Sequence, residues 1–200
     1  STCSIYLQSL ISLGIVRKEH PAGDEKSRKS IYLLEDHLFY FWYRFVSNHI
    51  SNVVIGKGSM LYDLLIEPNL NDYMGRIFEK ICQEYLLRWN GTESLPFFFT
   101  SIGRWWGTNP EKKGQVEIDL VARSSKEDKI LLAECKYRNE PMGIAVLKEL
   151  VDKSHFLHHG LKETYFFLFS KSGFSQELIE QSRKDPFLRL VDLAMIYTNV

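Results

Sequence analysis

The 200 residues, 44% hydrophobic and 14% aromatic, can bury a substantial core, and the length allows one domain with a smaller companion. Twenty-five basic residues balance 25 acidic ones, so no overall positive field draws the chain to nucleic acid, and any such contact must rest on local patches. Cys3, Cys82 and Cys135 are scattered and lack metal-ligand spacing, which suits reduced thiols in a cytoplasm. No apolar run approaches the ~20 residues of a membrane span, and residues 1–16 lack the basic start of a signal peptide.

Ser1 and Thr2 can cap a helix with Ile5, Tyr6, Leu10 and Leu13 on one side, and Gly14 supplies its stop. Residues 17–20 and 30–34 read as the arms of a strand pair around the charged tip 21–29. Helix, strand, tip, strand is the second half of a winged helix. The helices that should lead it are not in the sequence, so the chain is expected to be part of a longer protein. That first helix, the recognition helix of such a fold, offers few basic residues for a major groove, which favours protein interaction over sequence-specific DNA binding. An apolar face left uncovered tends to find a partner, a second copy included.

Asp36 is placed to cap a helix over 37–46, and its aromatic density reads as a buried connector. A stacking platform for single-stranded bases would want interleaved Lys or Arg, and Arg44 is the one such residue there. Ile55-Gly56-Lys57-Gly58-Ser59 lacks the spacing of a phosphate loop and reads as a turn, so the chain holds no ATPase of its own. The expected division is a partial winged helix over 1–35, a helical connector over 36–70 and an α/β domain over 71–200.

Within that domain, Ile77, Phe78, Ile81, Tyr85 and Leu86 mark the inner side of a helix over 74–89, ended by Asn90 and Gly91. Residues 97–106 read as a first strand. Val116 to Ala122 and Leu131 to Lys136 are apolar, β-prone runs around the polar hairpin loop 123–128. A helix opened by Pro141 is expected to run to His159 and Gly160. The apolar run 164–169 reads as a fully buried strand, most simply parallel to its neighbour through the helix crossover. A helix over 175–184 and a last strand over 188–197 complete the order.

Asp119 lies in the second of these strands, Glu134 and Lys136 in the third. Alternation puts Glu134 and Lys136 on one face and Cys135 on the other. Carboxylate oxygens are hard ligands for hydrated Mg²⁺ or Mn²⁺, which needs only one or two of them plus a substrate phosphate. Lys136 is not a third ligand; its work would be to orient an attacking water or offset charge on a phosphate. Asp119 is followed by Leu120, Val121 and Ala122, and Glu134 is preceded by a run from Ile130. Ionisable groups embedded in such runs are seldom left unpaired.

Asp119, a spacer, and Glu134-Cys135-Lys136, after a helix bearing Glu79, resemble the PD-(D/E)XK nuclease superfamily. Its restriction-endonuclease-like core is a helix, a mixed sheet of about four to five strands and flanking helices. The resemblance covers 71–200 and implies Asp119 and Glu134 as metal ligands, Lys136 as the catalytic lysine and Glu79 as an auxiliary acid. The proline that names the superfamily is Ile118 here, which removes no ligand. Ile102 to Gly107, followed by Glu117-Ile118-Asp119 and Glu134-Cys135-Lys136, also resembles the C-terminal domain of archaeal-type DEXX-box ATPases, a domain described as of unknown function. Lys148, Glu149 and Lys153 lie on the next helix, where charges are expected on the wet face.

His155 and His159, with His158 between them, share a helix side at i, i+4, but no glutamate completes an H-E-x-x-H site, leaving zinc a minor alternative. No serine sits in a nucleophile elbow. Two functional classes follow. One is a Mg²⁺-dependent nuclease acting on DNA in the cytoplasm as the C-terminal part of an ATP-driven protein. The other is a catalytically inactive module of the same fold that binds nucleic acid or protein and regulates the ATPase.

Overall fold

The computed structural model describes residues 2–24, 29–108, 114–157 and 162–198. The chain forms two compact units, one of Ser1–His20 with Lys26–Ile77 and one of Pro21–Glu25 with Phe78–Val200. No helix among the described residues is long and apolar enough to cross a membrane.

In the first unit, α1 (Thr2–Ser12) ends where Gly14 turns the chain at φ +70, the left-handed region that favours glycine. The Ile15 N–H then reaches back to the Leu10 carbonyl at 3.0 Å. β1 (Val16–Glu19) and β2 (Ile31–Leu34) pair antiparallel, Val16 opposite Leu34 and Glu19 opposite Ile31. Part of the expected tip, residues 25–28, lies outside the described residues.

Asp36 caps α2 (His37–Phe41) by accepting the Phe39 N–H at 2.9 Å. The helical path continues through a π turn at Trp42–Val46 and a 3₁₀ turn at Ser47–His49 into α3 (Ile50–Val54). After the turn at Gly56 the same succession recurs: α4 (Gly58–Leu61), a π turn at Tyr62–Ile66, a 3₁₀ turn at Glu67–Asn69, then α5 (Leu70–Trp89). Phe45, Ile66 and Tyr73 form the buried centre, with Tyr40 stacked on Tyr73 at 5.0 Å. Burying one such side chain contributes about 1.5–3 kcal/mol. The aromatic segment is therefore only half a buried connector. Its π turn keeps Phe45 inside, while Leu38, Phe39, Trp42 and Tyr43 remain exposed.

The second unit is a three-layer α/β arrangement around a mixed five-stranded sheet ordered β3-β4-β5-β6-β7. These strands are β3 (Ser101–Thr108), β4 (Gln115–Arg123), β5 (Lys129–Lys136), β6 (Glu163–Ser170) and β7 (Leu188–Asp192). β3, β4 and β5 form an antiparallel meander, and β6 and β7 add parallel to β5 through α6 (Ile144–Ser154) and α7 (Gln176–Lys184). One face packs Phe78, Cys82 and Leu86 of α5 against Leu120, Ala133, Cys135 and Phe169. The other packs Leu147 and Leu150 of α6 and Leu178 of α7 against Val121, Leu132 and Leu168. All of β5 from Ile130 to Cys135 is buried, as a central strand covered on both faces should be.

Three expected boundaries move. β3 begins at Ser101 rather than 97, because the Asn90 amide brackets Phe99, donating to its carbonyl at 2.9 Å and accepting its N–H at 3.0 Å. α6 ends at Ser154, and residues 158–161 lie outside the described ones. The last strand stops at Asp192, whose carboxylate accepts the Met195 N–H at 2.8 Å and caps α8 (Leu193–Tyr197). The parallel placement of the 164–169 run is as expected.

Candidate active site

The site arises where β4 and β5 part. Their pairing ends at Leu120 opposite Ala133, while Glu134, Cys135 and Lys136 go on pairing with Leu168, Phe169 and Ser170 of β6. On its other side β4 carries a bulge. Val121 lies opposite Gly103 but Ile118 opposite Trp105, so Asp119 and Leu120 together face the single residue Arg104. Such an extra residue bends the strand and re-aims a side chain. Ile118 and Val121 consequently pack into the same layer, which strict alternation would forbid, and Leu120 packs into the opposite one. Asp119 is turned to the free edge of β5, where its Oδ2 accepts the Cys135 N–H at 2.8 Å. A side chain thus takes the ladder bond that β4 no longer supplies.

Glu134 is 5% exposed. A carboxylate so buried needs partners, and it has two ammonium groups: Lys136 Nζ at 2.5 Å from Oε1 and Lys153 Nζ at 3.4 Å from Oε2. Lys153 also reaches Glu149 Oε1 one helical turn away at 2.9 Å. Burial works against the Lys153 charge, but Glu134 and Glu149 outweigh it and raise the pKa. The Glu149 carboxyl is held below the usual carboxylate range by its bond to Lys153, with Lys136 and Arg138 adding to the field.

Asp119 behaves oppositely. Burial, then the neighbouring Glu134 charge, push its carboxyl up to about 6, against the Cys135 N–H, Lys136 and Arg104. Two carboxylates that repel each other in a low-dielectric pocket make it costly to ionise both. The Cys135 thiol, on the α5 side, is raised well above its ordinary range by burial and its Cys82 neighbour, with Asp119 and Glu79 contributing.

The structure therefore brings Asp119, Glu134 and Lys136 to one strand gap, through a bulge rather than through simple alternation. Glu79 approaches from α5, and its charge reaches Cys135. Lys153 was expected on the wet face of its helix; instead its side chain is 17% exposed and bound to Glu134. The available signal was position. Lys153 falls three residues after Leu150, itself three after Leu147, on the stripe that meets the sheet. Lys148 is exposed, as a wet-face charge should be. Of the two tryptophans, Trp106 is buried; Trp105 is half-buried on the α6 side, its ring so close to Gly107 that a Cβ there would meet it at 2.7 Å. His155 is exposed, and His158 and His159 lie outside the described residues.

Among the described residues, no group of three or more His, Cys, Asp and Glu side chains is arranged to hold a metal. Asp119 and Glu134 are a pair of carboxylates, the number that a hydrated Mg²⁺ or Mn²⁺ completed by water and a substrate phosphate would need.

The chain belongs to the DUF234 family of archaeal and bacterial proteins of unknown function, whose pattern matches residues 42–150. Over 136 residues the chain is 32% identical to the uncharacterized protein MJECL04 of Methanocaldococcus jannaschii, covering 67% of this chain and 29% of that one. The chain thus spans under a third of that relative's length. No solved structure matches it.

Proposed function

We propose that this chain is a metal-dependent nuclease segment that hydrolyses phosphodiester bonds of DNA. In this reading the second unit is a restriction-endonuclease-like core, α1, β1 and β2 are part of a winged helix, and an ATPase occupies another part of the longer protein. The observation that carries it is the Asp119 carboxylate, bent by a bulge onto the Cys135 N–H, with the Glu134 charge pressing on it.

A divalent cation held by Asp119 and Glu134 would lower the pKa of a water and offset charge on the phosphate. The chain's own groups supply the rest. The Cys135 N–H fixes the Asp119 carboxylate in position. Lys136 places an ammonium at the half-open mouth, where it offsets negative charge developing on the phosphate, a contribution of about 10²–10³ in rate. The apolar layers on both sides of β5 limit water and so strengthen these interactions.

The test is cleavage of single-stranded, duplex and branched DNA and of RNA with Mg²⁺ or Mn²⁺, paired with metal titrations of wild type and Asp119→Asn. Cleavage that disappears with Asp119→Asn is expected. If wild type cuts none of these, and Asp119→Asn binds metal and nucleic acid as wild type does, the fold serves as a non-catalytic module.

A further inference from the structure

Each Glu134 oxygen already faces an ammonium group. Lys136 holds Oε1 and Lys153 holds Oε2, so a cation approaching this carboxylate meets two ammonium groups already there. The two contacts are unequal. Lys136 is short at 2.5 Å, whereas Lys153 stands at 3.4 Å and is nearer to Glu149 at 2.9 Å. Glu149 is 66% exposed, a wet anchor at the pocket mouth that can keep Lys153 when Glu134 lets it go.

Charge counting gives the consequence. Inside the gap, ionised Asp119 and Glu134 carry two negative charges and Lys136 and Lys153 two positive ones, while Glu149 at the mouth already shares Lys153. A divalent cation added alone leaves two positive charges without a counter-charge in a poorly solvated place. A phosphodiester group supplies one of the missing negative charges, and Lys153, already 2.9 Å from Glu149, can give up Glu134 and keep that partner.

Resting on the nuclease reading above, we propose that Lys153 is a positioning residue that makes divalent-ion binding conditional on a nucleic-acid phosphate. Lys153 bridges Glu134 Oε2 and Glu149 Oε1, would give up Glu134 and keep Glu149 were an ion held beside Asp119 and Glu134, and would there face the accompanying phosphate. Metal and nucleic acid then bind cooperatively, and by linkage each raises the affinity for the other by the same factor.

The test is calorimetric titration of the 200-residue chain with Mn²⁺, alone and saturated with a phosphorothioate DNA oligonucleotide, single-stranded or duplex, that resists cutting. For wild type, Mn²⁺ is expected to bind about tenfold more tightly when the oligonucleotide is present. Lys153→Met should bind Mn²⁺ about tenfold more tightly without DNA and gain little from adding it. Lys153→Arg should restore the wild-type dependence. Glu149→Gln should act with the opposite sign, weakening Mn²⁺ binding by withdrawing the alternative partner, and it keeps the test open should Lys153→Met fold poorly. Lys148→Met, exposed on the same helix, should match wild type. If Asp119→Asn abolishes Mn²⁺ binding while Lys153→Met and Glu149→Gln leave it unchanged, the role of Lys153 is overturned and the nuclease reading survives. If Asp119→Asn binds Mn²⁺ as wild type does, both fail.

Discussion

The Asp119 carboxylate accepts the backbone N–H of Cys135 at 2.8 Å across the gap where β4 has left β5. A residue of one strand thereby completes the hydrogen bonding of the next while its own charge is held against Glu134. Protonating Asp119 relieves its repulsion with Glu134, which Lys136 and Arg104 offset only in part.

The pH dependence of stability follows in sign. The folded pKa of Asp119 is about 6, above the value of about 3.9 expected in the unfolded chain. Between these values the folded state binds more protons, so this group's contribution to stability is greatest in acid and declines as pH rises through 6. Thermal unfolding without metal should therefore show wild type losing ground to Asp119→Asn between pH 5 and 7.5, by an order of about 2–4 °C. Asparagine keeps an oxygen for the Cys135 N–H and removes the repulsion. Parallel melting curves for the two proteins across that range would contradict the argument.

The roles within the site separate by variant. Glu134→Gln removes an ionised ligand, so metal affinity and cleavage should fall together, and raised Mn²⁺ should restore part of the loss. Lys136→Ala removes an ammonium from Oε1 and leaves both carboxylates, so metal binding should persist or tighten while the cleavage rate drops by about 10²–10³. Glu79→Gln should be milder, because Glu79 approaches from the α5 side beside Cys135. Metal titrations and single-turnover rates for the three variants decide it.

What the sequence disclosed and withheld has physical causes. β4, β5 and β6 were readable because apolar runs of strand length, a polar loop and a helix crossover leave few alternatives. Lys153 sits on the inward stripe of α6, but a lysine on an amphipathic helix ordinarily faces water, and its partner Glu134 is distant in sequence, so its position alone did not mark it as a site residue. The bulge at Asp119 leaves no mark in local composition, being a property of how β4 meets Arg104 of β3. Two boundary shifts share one cause. Asn90 and Asp192 each end or delay a strand with a side-chain hydrogen bond that strand propensity does not register.

Asn90 carries a prediction of its own. Its amide makes two hydrogen bonds to the backbone of Phe99, which is 2% exposed, so truncation leaves an N–H and a C=O without partners in the core. Asn90→Ala should cost about 1–3 kcal/mol. Asn90→Asp keeps the acceptor but sets a carboxylate oxygen against the Phe99 carbonyl, so it too should fall below wild type. Denaturant unfolding of the three proteins measures the series. Equal midpoints would mean that water replaces the amide at no cost.

The last prediction concerns α1. None of its eleven residues is buried, and Ile5, Tyr6 and, just beyond it, Leu13 stand 65%, 66% and 70% exposed. A helix of that length is marginal in water by itself, so it should be steadied by covering its apolar side. A second copy of the chain is the partner always available in a purified sample. Sedimentation velocity should show a mass rising above 23.4 kDa with concentration, and Ile5→Glu combined with Leu13→Glu should return the monomer. Both substitutions fall on exposed positions, so neither should disturb the β1–β2 pair or the sheet of the second unit. A chain that stays monomeric at every concentration, with the double variant sedimenting identically, would show that this helix face does not bind itself.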